Sequence, residues 1–111
     1  DVYFSNLKIV KALEREYGIE TYFFLKPVNY LGKSLTEVEK SVILGNLKPL
    51  YESTYPKMPR KIEALNFYDI PDIFKNIEEP VYIDFAHLNT KGNEIVAEKI
   101  VEIIVEKENF K

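Results

Sequence analysis

The chain has 111 residues, a net charge of −3 at pH 7 and an apolar fraction of 46%, which fits one globular domain or part of one and excludes a disordered segment. Because it contains no cysteine, a disulfide scaffold, a thiolate zinc site and a cysteine nucleophile are excluded. Lysine and glutamate are interspersed, so no basic stripe predicts a nucleic-acid partner, and no apolar run reaches the roughly 18 residues of a membrane segment.

The first two predicted elements are a helix and a strand. Phe4, Leu7 and other apolar residues recur near helical spacing over 3–17, and Gly18 follows as a C-terminal cap. The run 20–25 is aromatic and β-branched and lacks strict polar alternation. This pattern favours a strand that is buried on both faces of a parallel sheet.

A second helix and a second strand follow. Ser34 and Glu37 match a capping box, which predicts a helix that begins there and continues to about Tyr51. After an irregular stretch with two prolines, the run 64–68 predicts a weaker strand that ends at Asp69.

The remaining elements complete an alternating order. The short apolar run 81–83 leads into Asp84, and from about Thr90 the apolar positions form one broad face of a last helix. Helix, strand, helix, strand, loop and helix in this order predict a layered α/β architecture. Since two strands make a poor sheet alone, we expect residues 1–111 to be the C-terminal portion of a single domain whose other strands lie upstream.

His87 is the only histidine, and it follows Asp84 by three residues in a predicted loop. Imidazole is the side chain best suited to proton transfer near neutral pH. A carboxylate at this spacing can accept the Nδ1 hydrogen across a tight turn, which leaves Nε2 facing outward as a base for a hydroxyl nucleophile. Asp84 and His87 are therefore candidate catalytic residues, with Asp84 orienting the imidazole and His87 moving the proton.

The residues around this pair add a family resemblance. The segment 84–93 contains Asp-x-x-His and a polar turn with Gly92, and Ala97 lies in the helix that follows. This arrangement resembles the closing block of the SGNH (GDSL-type) hydrolases. Upstream, Lys26-Pro27 at a strand end and the Leu-Thr-x-x-Glu pattern within 33–39 are similar to a stretch of some of these proteins, with Lys26 in place of glutamine.

The resemblance implies a three-layer α/β fold of flavodoxin-like type, with this chain as its C-terminal half: two parallel strands with flanking helices. It implies a serine ester hydrolase of the esterase, lipase or acetyl-esterase type that needs no cofactor and acts on an ester or an O-acylated carbohydrate, with Asp84 and His87 in its active site. The family's Gly-Asp-Ser and Gly-x-Asn-Asp blocks are absent from this sequence. We therefore expect the chain alone to be inactive, because the nucleophile and the oxyanion donors lie elsewhere.

Other interpretations stay open or are disfavoured on chemical grounds. An acyltransferase of the same fold would pass the acyl group to a carbohydrate hydroxyl, and a non-catalytic SGNH-like domain would have a binding or structural role. A metal site made of Asp69, Asp72, Asp84 and His87 is disfavoured by the single histidine and the lack of cysteine. The chain's own serines lack the Gly-x-Ser-x-Gly surroundings of a nucleophile, which favours surface and capping positions for them.

Overall fold

Helices and short strands alternate along the computed structural model, which describes residues 2–43, 46–84 and 86–109. The helices and strands in the described residues are α1 (Val2–Tyr17), β1 (Phe23–Leu25), α2 (Glu37–Ser41), α3 (Lys48–Thr54), β2 (Lys61–Ile62), β3 (Phe67–Asp69) and α4 (Thr90–Asn109). Two 3₁₀ turns, Tyr55–Lys57 and Glu63–Leu65, lie between them.

Helix α1 forms where its apolar spacing predicted it. It ends at Tyr17, and Gly18 adopts a φ of 67°, the left-handed conformation that glycine adopts without a steric penalty. On its buried side, Leu7 belongs to an apolar cluster with Leu65 and Phe67. The predicted helix and its glycine cap are confirmed.

The sheet contains two strands within the predicted regions, at Phe23–Leu25 and Phe67–Asp69, and a third that was not predicted. The predicted bounds were wrong, because 20–22 are not in the strand and Ala64 and Leu65 lie in a 3₁₀ turn. Strands β1 and β3 are parallel, with Phe23 opposite Phe67 and Leu25 opposite Asp69, so the predicted parallel pair is confirmed. Strand β2 pairs with the other edge of β3 in the antiparallel direction, which gives the order β1-β3-β2. With only two residues, β2 is too short to leave a periodic pattern in the sequence.

The predicted second helix is wrong in its start and in its continuity. The capping box uses Thr36 and Glu39: Thr36 Oγ1 accepts from the Glu39 backbone N–H at 3.2 Å, and Glu39 Oε1 accepts from the Thr36 N–H at 3.0 Å. Ser34 and Glu37 have the same spacing two residues earlier, so the sequence pattern alone cannot decide between the two pairs. Helix α2 ends at Ser41 and α3 is a separate helix, while residues 44–45 of the predicted helix lie outside the described residues.

Helix α1 packs on one face of the sheet, and α4 borders a cleft over the other face. The Phe4 ring of α1 meets the Phe67 ring edge to face at 5.4 Å. Since neighbouring residues of a strand point to opposite faces, Tyr68 faces the other side, where it lines a cleft with Ile103 of α4. A second apolar cluster under the start of α4 contains Phe74, Val81, Tyr82 and Leu88.

The described residues therefore form a mixed α/β protein with a small three-stranded sheet. Because β1 and β3 are parallel, their carboxyl ends lie at the same edge of this sheet. Among the described residues, none of the helices combines the length and the apolar character needed to cross a membrane.

Candidate active site

A narrow loop, residues 81–89, carries Asp84 and His87. Its two legs are joined by an antiparallel bridge between Tyr82 and Leu88. The Ile83 N–H donates to the His87 carbonyl at 2.8 Å, and the Asn89 N–H donates to the Val81 carbonyl at 2.9 Å. These backbone hydrogen bonds join the two legs of the loop, since such groups are costly to leave unpaired.

The carboxylate of Asp84 is held by backbone groups of the same tip. Its Oδ1 accepts from the Ala86 N–H at 2.9 Å and from the His87 N–H at 2.6 Å. These two hydrogen bonds lower the pKa of Asp84 to about 2, because each favours the charged carboxylate. At neutral pH Asp84 is therefore an anion that can only accept hydrogen bonds.

The second oxygen of Asp84 faces the imidazole. Asp84 Oδ2 lies 2.7 Å from His87 Nδ1, so the structure brings together the two side chains that the Asp-x-x-His spacing singled out. Since the ionised Asp84 cannot donate, Nδ1 carries the hydrogen of this contact, and the neutral ring has its lone pair on Nε2. The His87 side chain is 73% exposed and that of Asp84 is 41% exposed, which leaves the pair open to a reacting group from outside.

The start of α4 anchors the C-terminal leg of the loop. Asn89 caps this helix: its Oδ1 accepts from the Gly92 N–H at 2.9 Å, and its Nδ2 donates to the Pro80 carbonyl at 2.8 Å. Gly92 is buried, and a Cβ atom there would lie 2.9 Å from the Val81 carbonyl oxygen. The start of α4 packs directly on the other leg of the loop, at Val81. This close contact explains why a glycine stands at position 92, and the capping role explains Asn89.

One residue beside the loop was missed from the sequence. Asn29 follows β1, is 1% exposed, and donates from Nδ2 to the Asp84 carbonyl at 3.4 Å. Its Oδ1 has no hydrogen-bond partner within the described residues. Its place just after the carboxyl end of a parallel strand was the available signal, since binding sites of open α/β sheets gather there.

The serines that the structure places do not reach His87. Ser41 donates its hydroxyl to the Val38 carbonyl at 2.6 Å, and Ser53 donates to the Leu50 carbonyl at 3.0 Å. Within the described ranges, no hydrogen bond joins a serine hydroxyl to His87.

Of the carboxylates considered for a metal site, Asp84 meets the imidazole, whereas Asp69 pairs with Arg60. Asp69 lies at the end of β3, and its Oδ2 is 3.5 Å from an Arg60 guanidinium nitrogen. Across residues 2–43, 46–84 and 86–109, no three histidine or acidic side chains lie together as metal ligands would.

Comparison of the chain with models of protein families, with curated proteins and with solved structures gave no match.

Proposed function

We propose that this chain is the C-terminal part of an SGNH-like serine ester hydrolase of three-layer, flavodoxin-like fold, and that it supplies the Asp84 and His87 of the active site. The observation that carries the proposal is the 2.7 Å contact between Asp84 Oδ2 and His87 Nδ1, with Asp84 Oδ1 held by two backbone N–H groups of the same loop. This is the geometry in which a carboxylate fixes an imidazole as a base.

The reaction follows from the lone pair on Nε2. His87 takes the proton of a serine hydroxyl supplied by the upstream part of the domain while the serine oxygen attacks the ester carbonyl. As the tetrahedral intermediate collapses, His87 gives that proton to the leaving alcohol, and an acyl-enzyme remains. A water molecule then attacks the acyl group, His87 takes its proton, and the serine leaves with that proton. Asp84 stays ionised and stabilises the imidazolium at each stage.

The surfaces of the chain support the presence of an upstream part. In the described residues β1 pairs with β3 alone, whereas strands of a parallel sheet are ordinarily flanked on both edges and covered on both faces. Helix α1 also exposes Val2, Ile9 and Leu13. An unpaired strand edge and an exposed apolar helix face fit further strands and helices of the same domain.

The proposed substrate class comes from the resemblance of the closing block to the SGNH hydrolases. We propose O-acetyl or another short acyl ester on a carbohydrate or small alcohol. An acyltransferase would use the same pair with a sugar hydroxyl in place of water, so product analysis separates the two reactions.

The test uses the gene product that carries this chain together with its upstream residues, with an aryl acetate as substrate. His87→Ala should lower kcat about 10²- to 10⁴-fold, since that is the usual contribution of a general base. The exposed Lys91→Ala on α4 is the matched control and should keep wild-type kcat. Wild-type kcat in His87→Ala, or no labelling of an upstream serine by a fluorophosphonate, would contradict the proposal.

A further inference from the structure

Glu39 is a buried carboxylate at the start of α2, on the far side of the loop from the imidazole. It is 0% exposed, and its partner Lys33 has a side chain that is also fully buried. A buried charge is stable only when hydrogen bonds and a counter-charge replace water. The contacts of Glu39 therefore show what it holds in place.

Four donors converge on the two oxygens of Glu39. Oε1 accepts from Lys33 Nζ at 2.7 Å and from the Thr36 N–H at 3.0 Å. Oε2 accepts from the Val81 N–H at 3.0 Å and from the Tyr82 N–H at 3.1 Å. One oxygen thus serves the helix start, and the other holds two consecutive backbone groups 42 and 43 residues further along the chain.

These contacts set the energetic role of Glu39. Burial alone would raise its pKa, but the hydrogen bonds from Lys33, Thr36, Val81 and Tyr82 outweigh burial and lower the pKa to about 2. Glu39 is therefore ionised at neutral pH, and its hydrogen bonds to backbone N–H groups are of the strong, charge-assisted kind.

The path from Glu39 to the imidazole is short. Tyr82 is bridged to Leu88, and the next residue, Ile83, donates its N–H to the His87 carbonyl at 2.8 Å. Glu39 holds the first leg of the loop, and that leg holds the backbone of His87. Because Asp84 follows the same leg by two residues, any shift of residues 81–82 moves both members of the pair.

We propose that Glu39 is a positioning residue for the Asp84 and His87 pair: its carboxylate fixes the Val81 and Tyr82 backbone and thereby the orientation of the imidazole. A catalytic role for this positioning rests on the proposed function. The contacts between Glu39 and the loop do not depend on it. Lys33 supplies the counter-charge that keeps the carboxylate ionised inside the protein.

The test compares three variants of the 111-residue chain. Glu39→Gln keeps the size of the side chain but has one acceptor oxygen. It therefore cannot accept hydrogen bonds both from Lys33 and Thr36 and from the backbone of residues 81–82. Glu39→Asp keeps the charge but is one methylene shorter and cannot span from α2 to Val81 and Tyr82. Glu37→Gln is the matched control, because Glu37 lies on the same helix with a side chain that is 91% exposed.

The readout is the tautomer of His87, which ¹⁵N NMR reports directly because the chain has a single histidine. In the wild type and in Glu37→Gln we expect the hydrogen on Nδ1 of the neutral ring. In Glu39→Gln and Glu39→Asp we expect a mixture of tautomers, together with hydrogen exchange of the Ile83 N–H that is faster by about tenfold or more. A wild-type tautomer in both Glu39 variants, or complete unfolding of both, would overturn a local positioning role.

Activity separates this inference from the proposed function. In the gene product with its upstream residues, Glu39→Gln should lower kcat for the aryl acetate while KM stays within about twofold, because substrate contacts are unchanged. If His87→Ala retains wild-type kcat, the proposed function fails, but the NMR result still decides whether Glu39 positions the loop. If His87→Ala is inactive and Glu39→Gln is fully active, the positioning role alone fails.

Discussion

The loop 81–89 and the outer faces of α1 and α4 differ in how much of their surface contacts the rest of the chain. The loop lies on a buried apolar cluster, and its backbone and Asp84 are satisfied by hydrogen bonds from within the chain. The two helices instead expose apolar side chains, with Leu13 51% and Val101 59% exposed. The difference teaches that hydrogen bonds within this chain hold the Asp84 and His87 pair, whereas the outer helix faces are the surfaces on which the proposed upstream part would pack.

The largest expected effect is at the cluster beneath the loop. Phe74 is 1% exposed, and its ring meets the Tyr82 ring edge to face at 5.6 Å. Phe74→Ala should lower the free energy of unfolding by about 3–5 kcal/mol, because the lost contacts leave a cavity. Urea denaturation measures the loss, with the exposed Val38→Ala as the control. A loss below about 1 kcal/mol would mean that the cluster is not a packed core.

The pH dependence of stability tests the buried carboxylate next to this cluster. The pKa of Glu39 falls from its ordinary 4.5 to about 2 on folding, so its contribution is complete above pH 4.5 and is lost as the pH drops towards 2. The contribution is at most about 3 kcal/mol.

The measurement is the difference in unfolding free energy between the wild type and Glu39→Gln from pH 7 to pH 2. This difference should shrink below pH 4.5, whereas Glu37→Gln should follow the wild type throughout. A difference that is the same at all pH values would show that ionised Glu39 is not the stabilising form.

A smaller effect is expected where α4 meets the loop. Gly92→Ala places a Cβ atom 2.9 Å from the Val81 carbonyl oxygen, and this clash should outweigh the better helix propensity of alanine and cost about 1 kcal/mol. Glu94→Ala, at an exposed position of the same helix, should cost nothing measurable. Thermal unfolding of both variants checks the contrast, and a stabilised Gly92→Ala would show that the contact is loose.

The smallest effect is expected on the outer face of α4. Val101→Ser should change the stability of the 111-residue chain by less than about 0.5 kcal/mol, because the side chain faces solvent there. In the gene product with its upstream residues, the same change should cost clearly more if that part covers the face. If Val101→Ser has the same small effect on stability in the 111-residue chain and in the longer gene product, the upstream part does not cover this face of α4.

Helix α1 with its Gly18 cap and the start of the last helix were predicted from periodicity and turn residues. The parallel pairing of β1 with β3 joins distant residues, and it was predicted from the alternation of helices and strands. The Asp84 and His87 contact was predicted as well, because the three-residue spacing lets the carboxylate reach Nδ1 across a turn.

The predicted register of the capping box of the second helix was wrong because two overlapping pairs of residues fit the pattern. The structure selects Thr36 and Glu39, and the reason lies outside the helix: Val81 and Tyr82 offer two backbone donors to the side chain at position 39. Such a contact leaves no local trace in the sequence, whereas Asn29 could have been singled out by its place after the carboxyl end of β1.

The sheet order has a consequence for handling the chain by itself. In the order β1-β3-β2 both outer strands have an edge that is unpaired within the described residues, but β2 has only two residues and includes Lys61, whereas β1 consists of Phe23, Phe24 and Leu25. An apolar edge without a charge or a proline is a template for pairing between copies. At high concentration the isolated chain should therefore aggregate through β1, and Phe24→Lys should keep it dispersed.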